Sequence, residues 1–254
     1  MTLDHIAGRM FDVPVIAGQM ERMHMLGRIA APLFLFLVAE SAGKTMNKKR
    51  YFIRMLAAAE ITAALNFIAE KLMGGIYTVG FSANILHTFV WVIGASYMIE
   101  LGVKKWKDGK YVLGAVCIVS VIATAALTIE AERLLLKGPI DKYRVFHYFI
   151  RSPRSTDYSG MFILLGIAWY FLKTKLQRCL LFFIIALVPM FWPFSIPYDI
   201  FFTLVQSNQW TMIGALPIML LYNGRRGKGF KYFFYAYYPL HIYLIEAIHI
   251  LIMK

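Results

Sequence analysis

Cysteine and acidic residues are scarce in this sequence, and both shortages narrow the classes of protein to which it can belong. The chain of 254 residues holds two cysteines, Cys117 and Cys179, and neither has a CxxC or histidine spacing around it. We therefore expect no disulfide framework, no zinc site and no other bound metal. Aspartate and glutamate number 14 against 27 lysines and arginines, which leaves a net charge of +13.

The basic residues do not gather on one soluble stretch, so this charge does not predict a nucleic-acid partner. Short connections between apolar runs carry 15 of the 27 cations and a single acid, Asp108. Cationic loops of this kind lie on the cytoplasmic side of a membrane. We therefore expect both chain termini outside, in a multi-pass protein of the bacterial inner membrane whose cytoplasmic connections are 44–50, 104–110, 173–178 and 224–231.

Long apolar runs dominate the rest of the chain, since 59% of residues are hydrophobic and 16% are charged. That apolar fraction exceeds what one soluble domain of this length can bury, so membrane lipid is the expected surrounding. A spanning helix needs about 20 apolar residues. We predict an all-α membrane bundle, one domain over 1–254, with about eight spans and at least two of them broken by proline: 29–42, 52–71, 84–103, 111–129, 159–173, 179–192, 209–222 and 232–253.

Polar residues within these runs need a partner or a purpose, because an ionisable group inside a span costs about 2.5–3.5 kcal/mol. His24 and Arg28 lie four residues apart on one helical face, and Pro32 removes the hydrogen bond to the Arg28 carbonyl. A kink beside a guanidinium is typical of a helix that lines a cavity. The alternative is that Arg28 extends to the outer interface.

Two further sets of polar residues follow. Arg54 is more simply a cytoplasmic anchor than a ligand, whereas Glu60 is expected to be the counter-ion of a buried cation. Asn84, His87 and Thr88 project to one side of their helix, where hydrogen bonds between helices are the plain alternative to a binding role.

The last apolar run, "YFFYAYYPLHIYLIEAIHI", combines aromatic and ionisable residues. Pro239 should split this span into two pieces, because it removes the hydrogen bond to the Tyr235 carbonyl. Glu246 and His249 lie three residues apart and can pair on one face of the helix. Together with His241, these imidazoles and carboxylates favour acid–base chemistry.

Taken in order, blocks of the sequence resemble the TraX family of membrane proteins. The resemblance extends from Asp4 to about Leu244, and it implies that residues 1–11 are the end of the family's first span. The "AEITAALNF" segment departs from the family pattern, which has a Ser-Glu-Ile-Pro-like run there. The matching blocks are "DHI", "LGRIAAPLFLFLVAES", "KTMNKKRYFIRML", "NILHTF", "TDYSGMFILLGIAWYF" and "LLYNGRRGKGFKYFFYAYYPLHIYL".

The resemblance implies a membrane acyltransferase. The family founder is associated with N-terminal acetylation of the F-type conjugative pilin, and the family is similar to a wider group of enzymes that take acetyl groups from acetyl-CoA. The expected partners are therefore acyl-CoA as donor and an acceptor that the sequence leaves open among a peptide, a pilin, a sugar and a small amine.

Acyl transfer to an amine needs a base and a donor for the oxyanion. We expect His5 or His241 as the base and Arg28 as the partner of the oxyanion or of a carboxylate. One cavity should hold His241 and Arg28 deep inside it, with Asp4 and His5 at its outer mouth. The candidate ligands of the CoA phosphates are Lys48, Lys49, Arg54, Arg225, Arg226 and Lys228. The candidate contacts of the acceptor are His24, Asn84, His87, Asp157 and Tyr158.

Two classes of protein other than an enzyme also fit the sequence. Broken helices with central charges occur at the binding sites of small-molecule transporters, although no inverted repeat is visible here. A non-catalytic accessory protein for pilus or polymer assembly would also need a membrane bundle. Transfer of an acyl group from acetyl-CoA by the purified protein would separate the enzyme from both alternatives.

Overall fold

The computed structural model describes residues 1–10, 12–72, 84–137, 148–149, 151–191, 209–225 and 231–252. Every regular element in these ranges is helical, which confirms the all-α class. The α-helices are α1 (Thr2–Arg9), α2 (Pro14–Ala17), α3 (Met20–Arg28), α4 (Ala30–Lys44), α5 (Lys48–Leu72), α6 (Ile85–Lys107), α7 (Tyr111–Leu136), α8 (Ser159–Phe171), α9 (Lys175–Phe191), α10 (Ala215–Leu221) and α11 (Lys231–Ile252), with a 3₁₀ helix at Gln209–Gly214.

The helices fall into two compact units. The terminal unit comprises residues 1–37 and 172–254, and the central unit comprises residues 38–171. In the terminal unit α1 packs on α3 and α11, while the 3₁₀ helix packs on α3, α9 and α10. In the central unit α6 packs on α5, α7 and α8.

Four helical stretches of the described chain are long and apolar enough to cross a membrane. The expected runs 159–173 and 209–222 contain shorter apolar helices, Gly160–Phe171 and Trp210–Leu221. These findings confirm a membrane helix bundle. The four long stretches are Met20–Lys44, Lys48–Lys71, Ile85–Lys107 and Tyr111–Leu135.

Small residues set the closest helix contact in the central unit, between α6 and α7. A Cβ atom on Gly102 would lie 2.9 Å from the Gly114 carbonyl oxygen, so the two backbones can approach only because both residues are glycine. Gly109 ends α6 with a φ of 76°, and the Lys110 N–H donates to the Lys105 carbonyl at 2.9 Å. This left-handed ending satisfies the last carbonyls of α6 and starts the turn into α7.

The helical path continues past both of the proline residues singled out in the sequence. Near Pro32, α3 ends at Arg28 and α4 begins at Ala30, but Ile29 between them keeps helical angles (φ −61°, ψ −29°), so the helical path continues. At Pro239 the expected split of the last span is wrong, because α11 continues from Lys231 to Ile252 as one helix. Proline removes one backbone hydrogen bond, and here the hydrogen bonds on both sides of it are enough to keep the helix continuous.

Candidate functional site

Polar side chains meet along the contact between α1 and α11 in the terminal unit. The residue numbers rise together in the two helices, so the helices run parallel, and successive contacts are three to five residues apart, the last of them made by Asp12 just after α1. We call this surface the α1–α11 interface. Its contacts are Thr2 Oγ1 to Tyr237 Oη at 2.7 Å, the His5 and His241 rings at 5.1 Å between centroids, Arg9 Nη1 to Glu246 Oε2 at 2.8 Å and Asp12 Oδ1 to His249 Nε2 at 2.7 Å.

His241 is the most tightly held of these imidazoles. Its Nδ1 lies 2.8 Å from the Tyr237 carbonyl oxygen, and the Tyr237 ring stacks on it at 4.9 Å between centroids with 8° between the ring planes. A carbonyl only accepts hydrogen bonds, so Nδ1 carries the hydrogen and Nε2 carries a lone pair. Nε2 is buried, and it has no hydrogen-bond partner among the described residues.

His5 meets His241 edge to face, with 67° between the ring planes. Burial and the neighbouring His241 lower the pKa of His5 to about 3, while the adjacent Asp4 acts in the opposite direction and Arg9 lowers the pKa further. His5 is therefore a neutral imidazole near neutral pH, and it contributes no positive charge beside His241.

Asp4 points to the opposite side of α1, toward α3. Its Oδ1 lies 2.7 Å from His24 Nδ1, and its Oδ2 lies 3.7 Å from Arg28 Nη1. The helices can approach this closely because residue 27 is glycine, since a Cβ there would lie 2.3 Å from the Asp4 Cβ. The buried Arg28 Nε has no hydrogen-bond partner among the described residues.

Glu246 and His249 both have partners from outside α11. Both residues lie on the same face of α11, but Glu246 pairs with Arg9 and His249 pairs with Asp12. The Arg9 and Glu246 side chains are only 7% and 1% exposed, so the carboxylate needs a permanent positive charge, which a histidine does not supply.

Arg9 and Asp12 were therefore missed by the sequence analysis. The signal that would have found them is their spacing, because Arg9 follows His5 by four residues and so lies on the same face of α1.

A second group of polar residues lies in the central unit, where α5 and α6 meet. His87 Nε2 lies 3.3 Å from Glu60 Oε1, so Glu60 contacts a buried imidazole, and its expected role as the counter-ion of a buried cation stays a prediction. The Asn84 side chain caps α6 by accepting from the Leu86 N–H at 3.2 Å. The Thr88 hydroxyl donates to the backbone carbonyl of Asp157 at 2.9 Å.

Asp157 and Tyr158 precede α8 in the same unit. Burial raises the pKa of the Asp157 carboxyl, against the opposing effects of Arg151, the Asn84 backbone N–H and His87. Tyr158 adopts a φ of 64°, which is uncommon for a residue other than glycine, and its ring stacks on Phe162 at 4.6 Å between centroids.

The candidate CoA ligands are spread over both units. The Lys48 ammonium already pairs with Glu100 and donates to Tyr170 Oη at 2.6 Å, so part of its charge is offset. The Arg54 guanidinium lies 5.9 Å from the centroid of the Tyr51 ring. Exposed positions are occupied by Lys49 and Arg225, whereas Arg226 and Lys228 lie outside the described residues.

The terminal unit thus brings together the predicted acid–base residues, as His5 contacts His241 and Asp4 lies beside Arg28. A cavity of about 420 Å³ in the same unit is apolar and is lined by other residues, among them Phe36 and Met219. No cluster of three or more metal-ligating side chains occurs in the part of the chain that the structure describes.

An all-α membrane bundle with a buried network of imidazoles and carboxylates is the class that this architecture defines. The sequence matches the family model described as TraX protein over residues 1–137 and 144–249, so the chain belongs to the TraX family. No curated protein and no solved structure matches the chain. Family membership supports a membrane protein connected with conjugation and pilin processing.

Proposed function

We propose that this protein is a membrane acetyltransferase that transfers the acetyl group of cytoplasmic acetyl-CoA to an amine, as in N-terminal acetylation of a pilin. The observation that carries the proposal is the state of His241. Its hydrogen is held on Nδ1 by the Tyr237 carbonyl, and its buried Nε2 has no hydrogen-bond partner among the described residues. A neutral imidazole with one free lone pair is the usual general base of acyl transfer.

The reaction assigns a role to each of these groups. The amine nitrogen attacks the thioester carbonyl carbon, and His241 Nε2 takes one of its protons as the C–N bond forms. The C–S bond then breaks, and the imidazolium returns the proton to the CoA thiolate. The products are an acetamide and CoA with a free thiol, so the imidazole is regenerated neutral.

His5 and Arg28 support this step in different ways. With a pKa of about 3, His5 is too weak a base to share the proton near neutral pH, which favours His241 over His5 as the base. A neutral His5 also leaves the imidazolium of His241 without a like charge at its edge. Arg28 has an Nε donor that no described residue uses, and we assign it to the oxyanion of the tetrahedral intermediate.

The phosphates of acetyl-CoA need cations on the cytoplasmic side. Exposed Lys49 and Arg225 are suitable, and Arg226 and Lys228 add to the charge of the second loop. Simultaneous substitution of Arg225 and Arg226 by alanine should weaken acetyl-CoA binding more at low than at high ionic strength. We also propose that the protein lies in the inner membrane, where lipid surrounds it. It crosses the membrane several times and has both termini outside.

Amine-dependent turnover of acetyl-CoA by the purified protein tests the function. The protein in detergent should release CoA thiol and form acetylated amine in equal amounts, measured by thiol titration and mass spectrometry. Movement of an amine across a vesicle membrane without chemical change would support a transporter instead. If neither product formation nor transport is observed, the result contradicts the enzyme and supports an accessory role.

A further inference from the structure

A second imidazole–carboxylate pair lies within the central unit, inside the candidate spans. Glu60 lies near the middle of Lys48–Lys71, and His87 lies in the first turn of Ile85–Lys107. An ionisable side chain within a span is expensive and usually serves a function. The acid–base chemistry proposed for the terminal unit does not use this pair.

The pair fixes the hydrogen on the His87 ring. Nε2 lies 3.3 Å from Glu60 Oε1, and a carboxylate only accepts, so Nε2 is the donor. Nδ1 on the other side of the ring then presents a lone pair. The side chain is 5% exposed, and Nδ1 is buried with no hydrogen-bond partner in the part of the chain that the structure describes.

The nearby hydrogen-bond donors are already in use. The Asn84 amide donates from Nδ2 to the Ala59 carbonyl at 2.9 Å, and the Thr88 hydroxyl donates to the Asp157 carbonyl. The Asp157 carboxyl accepts from the Asn84 backbone N–H and lies within electrostatic range of His87. The site therefore has a spare acceptor and two carboxyl groups.

A ligand that complements this site brings N–H donors and a positive charge. A phosphate or a carboxylate does not fit, because it would place acceptors against Nδ1 and negative charge near Glu60. Arg151 is the cation near Asp157, and its Nη1 donates to the Ser155 carbonyl.

We propose that Glu60, His87 and Asp157 form a binding site for a primary amine. One N–H of the ammonium group donates to His87 Nδ1, and the Glu60 carboxylate offsets its charge. That this amine is the acceptor of the acetyl group rests on the proposed function, whereas the binding itself does not.

Titration of the full-length protein in detergent with propylamine, without acetyl-CoA, tests the binding. Isothermal titration calorimetry should show saturable binding of propylamine. The propyltrimethylammonium ion has the same charge but no N–H, so it should bind at least about tenfold more weakly. Equal binding of the two probes, or no saturable binding of propylamine, would overturn the proposal.

Replacement of His87 by glutamine sharpens the test. Glutamine places an amide near the position of Nε2 and can still donate to Glu60, but it has no acceptor in place of Nδ1. H87Q should therefore raise the dissociation constant for propylamine at least about tenfold. The matched control is H249Q, since His249 also pairs through Nε2 with a carboxylate, at 2.7 Å from Asp12, and this change should leave binding unaltered.

Unaltered propylamine binding by folded H87Q would contradict the site. If H87Q does not fold, the comparison of propylamine with its trimethyl analogue on the wild-type protein decides. The two proposals fail separately. Amine binding without acetyl transfer contradicts only the proposed enzyme. Acetyl transfer by a wild-type protein that shows no propylamine binding contradicts only this site.

Discussion

The terminal and central units each bury a histidine whose tautomer is fixed, but they fix it from opposite sides of the ring. In the terminal unit the Tyr237 carbonyl holds Nδ1 of His241, which leaves Nε2 with the lone pair. In the central unit Glu60 holds Nε2 of His87, which leaves Nδ1 with the lone pair. The partner also differs, because the Tyr237 carbonyl is neutral whereas the Glu60 side chain is a carboxylate.

This difference separates the roles that the two residues suit. A base must gain and lose a proton in each turnover, and a neutral partner leaves both states of His241 accessible. The Glu60 carboxylate beside His87 suits retention of a ligand that carries a positive charge. The comparison therefore assigns chemistry to His241 and binding to His87.

The largest expected effect comes from replacing His241 by asparagine. The asparagine amide can still donate to the Tyr237 carbonyl in place of Nδ1, but no group replaces Nε2. Acetyl transfer should fall by about 10²–10⁴-fold, the usual contribution of a positioned base, while thermal stability changes little. Initial rates of CoA release at saturating substrates measure the effect.

H249Q serves as the control for H241N, because His249 is buried on the same helix. The H249Q protein should keep most of the wild-type turnover. Wild-type turnover by folded H241N would remove His241 from the reaction.

The second largest effect should follow from breaking the buried ion pair of the α1–α11 interface. Arg9→Met leaves the Glu246 carboxylate, which is 1% exposed, without its positive partner, and this should cost about 3–5 kcal/mol of unfolding free energy. Changing Glu246 to glutamine in the same protein should recover a large part of the loss. Thermal unfolding in detergent measures both variants.

Lys44→Met provides the matched comparison in the central unit. Lys44 pairs with Glu40 at 2.6 Å but is 60% exposed, so its loss should cost at most about 0.5 kcal/mol. Equal losses in R9M and K44M would mean that the Arg9 pair is not buried in the protein.

A smaller effect is expected from Gly27→Ala. The added methyl group would lie 2.3 Å from the Asp4 Cβ, so α1 and α3 must separate, at a cost of about 1–3 kcal/mol. Gly43→Ala adds the same methyl group within α4, where nothing lies within 4 Å, and should stabilise that helix by up to about 1 kcal/mol. The melting temperature should fall in G27A and rise in G43A. An unchanged melting temperature in G27A would contradict the close approach of α1 and α3.

The smallest effect concerns pH and His5. Because its folded pKa of about 3 lies below the usual histidine value of about 6.5, the unfolded chain binds more protons than the folded protein between these values. The contribution of His5 to stability is therefore complete above about pH 6.5 and is lost as pH falls toward 3. Between about pH 7 and pH 5 the wild type should lose up to about 2 kcal/mol more than His5→Gln. An equal loss of stability between about pH 7 and pH 5 in the wild type and in His5→Gln, measured by thermal unfolding, would contradict the lowered pKa of His5.

Membership in the TraX family and the all-α membrane class were predictable because blocks of residues and long apolar runs are properties of the chain itself. The partners of Glu246 and His249 were not, since their i, i+3 spacing shows that they share a face but not which helix covers that face. The continuity of α11 through Pro239 was likewise hidden, because the sequence shows the one lost hydrogen bond but not that the bonds on both sides of it keep the helix continuous.

The roles assigned to His241, Arg28 and the cationic loops stay predictions, because geometry within one unit does not reveal a reaction. Asp4 and His5 were foreseeable because they stood out from the apolar background of the sequence, whereas Arg9 was not singled out. Polar residues that lie four positions apart in a short terminal helix share one face, and they should be considered together as candidate partners of a neighbouring helix.

The protonation state of His241 is the most direct test of the central claim. Nitrogen-15 NMR of the protein labelled at histidine, with the His241 signals assigned by H241N, reports which ring nitrogen carries the hydrogen. Near neutral pH, Nδ1 should be protonated and Nε2 should show the shift of a nitrogen with a free lone pair. A protonated Nε2, in either the other tautomer or an imidazolium, would contradict the assignment of His241 as the base.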